Sequence, residues 1–142
     1  MKTPQQIFDQ VVSHLLTQRQ RAMNNSGVCQ YLDVKGRKCA IGCLIDPKLY
    51  NPTIEGLSLS SALVELNDNK EQSFKGKTLT DILQSSGIDS NDETIATLLI
   101  QLQSIHDFRL ECEWADELKA LALRLNLQYN YAQEANPQTA SS

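Results

Sequence analysis

The chain has 142 residues, of which 41% are apolar and 21% charged, with a formal net charge of −4. That size and mixture fit one soluble globular domain, and no apolar run is long enough to span a bilayer. The charge is uneven: residues 1–77 carry ten Lys/Arg against seven Asp/Glu, and residues 78–142 three against ten. An acidic second half argues against a chain that wraps nucleic acid along its whole surface.

Thr3-Pro4 opens the first predicted helix, with Thr3 as cap and Pro4 at a position where its missing N–H costs nothing. Ile7, Phe8, Val11, Val12, Leu15 and Leu16 follow at helical spacing, and Ala22 and Met23 extend the pattern towards an end at Asn24–Gly27. The start, with Asp9, Gln10, Ser13 and His14 among its apolar residues, does not read as an export signal. Reduced cysteines and a cytoplasmic location are the corresponding expectations.

Residues 28–33 read as a short strand and 34–37 as a turn. Residues 38–45 read either as a returning strand or as a short buried helix that puts Cys39 and Cys43 on one face. With Lys35-Gly36 at the tip, the hairpin register places Leu32 opposite Cys39 and Gln30 opposite Ile41. Asp46-Pro47 stops this element, and 46–59 reads as loop. Ser60 or Ser61 caps a short helix through Ala62, Leu63 and Leu66, a polar connector follows to residue 77, and Thr78 caps another helix ending at Gly87. Asn91 caps a longer helix with Ile95, Leu98, Leu99, Leu102, Ile105 and His106 in one stripe. The last helix starts near Cys112 and buries Trp114, Leu118, Leu121, Ala122 and Leu125. The fold class is therefore mainly α (α+β), four to five helices with one small β-hairpin at 28–45. Residues 1–130 form a single domain and 131–142 a flexible polar tail, and no internal repeat is evident.

Three chemistries compete for the segment 29–43. Cys29, Cys39 and Cys43 have the spacing C-x9-C-x3-C, and with His106 they are candidate metal ligands or reactive thiols. The tight C-x2-C pair of zinc knuckles is absent, and free cysteines are commonly core filler. A thiolate at Cys39 would be favoured by Arg37 and Lys38, with His106-Asp107 as base and orienter. Against this, neighbours on a helix point about 100° apart, and His106 lies on an apolar stripe. Lys35, Arg37 and Lys38 form a basic loop that could contact an anion, although a phosphate cradle needs more glycines than Gly36. The carboxylates at 92–93 and 113–117 are accounted for by helix starts. No residue is assigned as catalytic and no cofactor is expected.

The stretch "CQYLDVKGRKCAIGCLIDPKLY", followed by Glu55-Gly56, resembles an uncharacterised family of small phage, prophage and bacterial proteins. The shared pattern is C-x-Y…G…C-A-x-G-x-L-I, carried here by Cys29, Tyr31, Gly36, Cys39, Ala40, Gly42, Leu44 and Ile45, with Tyr50 after it. A His-Asp pair on one helix and a Trp on the next are similar in arrangement. The resemblance extends over most of residues 1–128 and is concentrated in 29–56. It implies a phage or mobile-element context and no particular chemistry. Together these readings favour a non-enzymatic protein-interaction module whose partner is a host or phage protein, or a second copy of itself. Nucleic acid and membrane are not expected partners. The alternatives are a small metal- or nucleic-acid-associated protein and a thiol enzyme.

Overall fold

The computed structural model describes residues 1–67 and 73–131. Five α-helices stand among them, α1 (Pro4–Gln18), α2 (Leu59–Asn67), α3 (Phe74–Ser85), α4 (Glu93–Phe108) and α5 (Trp114–Arg124). None is long and apolar enough to cross a membrane. α1 opens with a capping box: the Gln6 N–H donates to Thr3 Oγ1 at 3.1 Å and the Thr3 N–H to Gln6 Oε1 at 2.9 Å. Such a cap is worth about 1 kcal/mol. The helix stops at Gln18, five residues short of Met23, with Arg19 at φ +56°. Gln18 explains the early stop, because its amide bridges both backbone groups of Lys38. Ala22 is buried outside the helix, which is why it mimics a continuation of the stripe.

The hairpin expected at 28–45 is replaced by two tandem loops nine residues apart, and no strand forms among the described residues. In the first, the Asn24 N–H donates to the Val28 carbonyl, Gly27 N–H to the Asn24 carbonyl, and Asn24 Oδ1 accepts from the N–H groups of Ser26 and Val28. The second repeats every bond with Asp33, Lys35, Gly36 and Arg37. Gly27 and Gly36 both take φ above +80°, the left-handed position that such three-residue loops require. Each loop closes on one antiparallel bridge, Met23 with Cys29 and Leu32 with Lys38. The register is thus one residue away from the Leu32–Cys39 pairing expected, since the loop tip holds three residues instead of two.

Residues 38–45 are neither strand nor full helix: Cys39 N–H still bonds the Tyr31 carbonyl, and Gly42–Leu44 then forms a single 3-10 turn. Two similar turns follow at Pro47–Leu49 and Pro52–Ile54, opened by Asp46 and Asn51, whose side chains accept from the N–H two residues on. Ser58 Oγ accepts from Ser61 N–H at the start of α2. Ser73, not Thr78, caps α3, and Thr78 bonds the Phe74 carbonyl inside it. Asp92, not Asn91, caps α4. A 3-10 turn over Glu111–Glu113 precedes α5, which begins two residues after Cys112.

One buried cluster runs from Ile7 to Ala122 and draws on all five helices and on Cys39–Ile45. α1 lies against α4, α5 and the Gly42–Leu44 turn, while α2 joins α3 and α4. The loop layer 20–45 is held between α1 and α4. Residues 68–72 of the expected connector, and the tail from residue 132, lie outside the described residues.

Candidate functional site

A cleft of about 390 Å³ opens between the segments 28–31 and 56–60 and the last two turns of α4. Its walls are largely apolar, with Val28, Leu57, Ile100 and Phe108 among them. Val28 and Phe108, at 54% and 81% exposure, place apolar surface on its rim.

The polar centre of the cleft is Asp107. Its Oδ1 accepts from His106 Nδ1 at 2.8 Å and from Gln103 Nε2 at 2.9 Å, and the Cys29 sulfur lies within 4.8 Å of its carboxylate. The His106–Asp107 contact corrects the expectation that neighbours on a helix stay apart. The Cα–Cβ directions do diverge, but the imidazole and carboxylate reach far enough beyond Cβ to meet at 2.8 Å. His106 is fully buried. Its Nε2 accepts from the Ala22 N–H at 3.1 Å, so the ring proton sits on Nδ1 and points at Asp107. Trp114 stacks on the ring with centroids 5.6 Å apart and donates from Nε1 to the Arg109 carbonyl. Arg21 completes the end of α4, donating to the carbonyls of His106 and Arg109.

These bonds are what hold the loop layer to α4. Gln103 Oε1 accepts from Ile41 N–H, and His106 accepts from Ala22 N–H, so one helix face grips two loops. On the other side of the cleft wall, Glu55 accepts from the N–H groups of Tyr31 and Leu32 and from the Tyr50 hydroxyl at 2.6 Å. The Tyr31 hydroxyl donates to the Leu57 carbonyl. Burial, reinforced by nearby charges including Glu55, raises both phenols well above their ordinary range.

Of the candidate ligands, Cys29 and His106 come together, joined by Asp107, with one donor atom of each within 4.8 Å of the others. Cys39 and Cys43 are not in that group. Cys39 is fully buried and its sulfur accepts from the Gly42 N–H, while Cys43 donates to the Ala40 carbonyl. Burial pushes the Cys43 thiol up to about 12 and Cys39 higher still. Cys29 is pushed up to about 12 by burial, then by the nearby charge of Asp107. The expected cationic help for Cys39 is missing, because Arg37 turns away to bond Asp33 Oδ2 at 2.6 Å and Gln20. Asp33 is buried; burial raises its pKa, but hydrogen bonds from Arg37, Met23 and Lys35 outweigh this and hold it below the ordinary carboxylate range. Of the basic loop, Lys35 is left exposed and Lys38 half-buried.

A metal at the Cys29–His106–Asp107 group would find an unsuitable histidine. Binding Nδ1 displaces its proton from the Asp107 bond, and moving that proton to Nε2 sets it against the Ala22 N–H.

Sequence reasoning does not bring Asp107, Gln103, Glu55 and the repeated loops together as one connected site. The loops do carry a signal, Asn24-x-x-Gly27 and Asp33-x-x-Gly36 at a spacing of nine. Tyr31, Gly42, Tyr50 and Glu55 meet in one clamp around the cleft wall. No protein-family model, curated protein or solved structure matches the chain.

Proposed function

We propose that this protein is a small non-enzymatic interaction module, cytoplasmic and of phage or mobile-element type, that seats a protein partner at the cleft beside α4. The observation that carries the reading is the pair of exposed apolar side chains, Phe108 and Val28, on a largely apolar cleft. The thiols support it from the other direction, since a nucleophilic cysteine needs a depressed pKa and the three in and near the cleft are all raised. The commitment of Arg37 to Asp33 similarly weakens the basic loop as an anion site.

A photo-crosslinking residue placed at 108 tests this, with one at Leu123, equally exposed on α5, as control. The expected result is a discrete adduct at 108, to a host or phage protein or to a second copy, that is absent at 123. Equal labelling at the two positions rejects the cleft as the partner surface. A metal centre is the second reading, favoured by the closeness of Cys29, His106 and Asp107. Native mass spectrometry of protein purified without chelator separates the two: one zinc lost on chelation favours the metal, a bare mass the partner seat.

A further inference from the structure

We infer that the cleft receives a primary ammonium on an aliphatic stem, the side chain of a lysine in the protein partner, with Asp107 as counter-ion. The inference rests on the reading of the cleft as a partner surface and gives that surface its chemistry. Asp107 is the one charged side chain among the residues lining the cleft, and it is 25% exposed. Its bonds come from an imidazole N–H and an amide, and no cationic side chain lines the cleft opposite it. The Asp107 charge adds to burial in raising the Cys29 pKa, with Arg21 opposing it from behind the cleft wall.

The remaining surface suits an amphipathic cation. Val28, Leu57, Ile100 and Phe108 offer apolar contact to a methylene stem, as long cationic side chains commonly seek. Ser104 adds a polar residue to the cleft lining, one turn before Asp107 on α4. The donor arrangement also chooses between lysine and arginine. A guanidinium fork binds best with both carboxylate oxygens free. Here Oδ1 already takes two hydrogen bonds, from His106 and Gln103, and a carboxylate has about four acceptor positions in all. A compact ammonium needs only one open position.

The test is an amide chemical-shift titration of the full chain with Nα-acetyl-lysine methylamide, and with the arginine and norleucine analogues. The expected result is saturable shifts around residues 28–31, 56–60 and 103–108 for lysine, with norleucine and arginine each roughly tenfold or more weaker. Asp107→Asn should weaken the lysine probe to the level of norleucine. The single Trp114, packed on His106, reports whether that variant keeps its fold. If the variant unfolds, the three probes on the natural chain still decide. Equal shifts from lysine and norleucine overturn the ammonium while leaving an apolar partner seat in place. Tighter arginine binding overturns the choice of lysine. No response to any probe overturns the ammonium, and crosslinking at 108 then tells separately whether the partner surface stands. Shifts of the same amides by zinc chloride, with the lysine analogue silent, replace the proposal with a metal site.

Discussion

At the residue scale the tightest constraint is Gly42. Its φ is ordinary, yet a Cβ there would lie 1.9 Å from the Tyr31 carbonyl oxygen and 2.8 Å from its carbon. Those atoms are backbone, and the Tyr31 and Leu32 N–H groups are fixed to Glu55, so the neighbour cannot move aside cheaply. Gly36 is the opposite case, with φ +83° and nothing within 4 Å of the place a Cβ would take. Gly36→Ala is expected to cost about 1–2 kcal/mol from backbone strain alone. Gly42→Ala is expected to cost about 3 kcal/mol or more, at the upper end of overpacking. Urea midpoints of the two variants check the order, and a larger loss at Gly36 would mean that the Tyr31 segment is not fixed as described.

At the scale of elements, the paired loops make an asymmetric prediction. Asn24 and Asp33 perform the same turn with Oδ1, but Asp33 also uses Oδ2 for the Met23 N–H and the Arg37 guanidinium. Asn24→Asp keeps every acceptor and should change stability by about 0.5 kcal/mol or less. Asp33→Asn sets an amide N–H₂ against those two donors and removes a buried charge from its partner, at a cost of about 2–3 kcal/mol. Equal costs in thermal melts would show that the Met23 and Arg37 bonds contribute nothing. The helices were legible in the sequence because their apolar stripes are long: Ile7 to Leu16 and Ile95 to His106 identify α1 and α4 without ambiguity. Their ends were less so, since Asn91 and Asp92 are both good caps and only packing decides between them. The loop layer misled because two loops with a single bridge each share the turn residues of a hairpin. Of the site, Cys29 and His106 were visible as donors, whereas the role of Asp107 depends on side-chain bonds within α4 and on the approach of Cys29 from the loop layer.

At the scale of the whole molecule, the loop layer is a wedge gripped from both sides. α4 holds it through His106 and Gln103, and α1 holds it through His14, whose Nε2 donates to the Lys38 carbonyl at 2.8 Å, together with Gln18. The cleft wall at 28–31 is carried on that wedge, so acid should destabilise the wedge by placing a charge on the half-buried His14 beside Lys38, although the Nε2–H bond itself survives protonation. Burial lowers the His14 pKa; the bond to Lys38 opposes this, while the charge of Lys38 adds to the lowering. The unfolded chain therefore takes up the proton first, near pH 6.5, and stability falls as the pH drops from there through the folded value. Asp33, whose folded pKa is depressed, acts in a lower window, with stability lost as the pH falls below about 4. His14→Gln removes the first window and leaves the second, so the urea midpoint of the variant should vary less than that of the natural chain between about pH 7 and 5. Parallel curves over that interval would place the acid sensitivity elsewhere and leave His14 as a spacer between α1 and the wedge. A flatter curve, with the Val28–Tyr31 amides shifting in step with His14 titration in the natural chain, ties the cleft wall to the α1 contact that holds it.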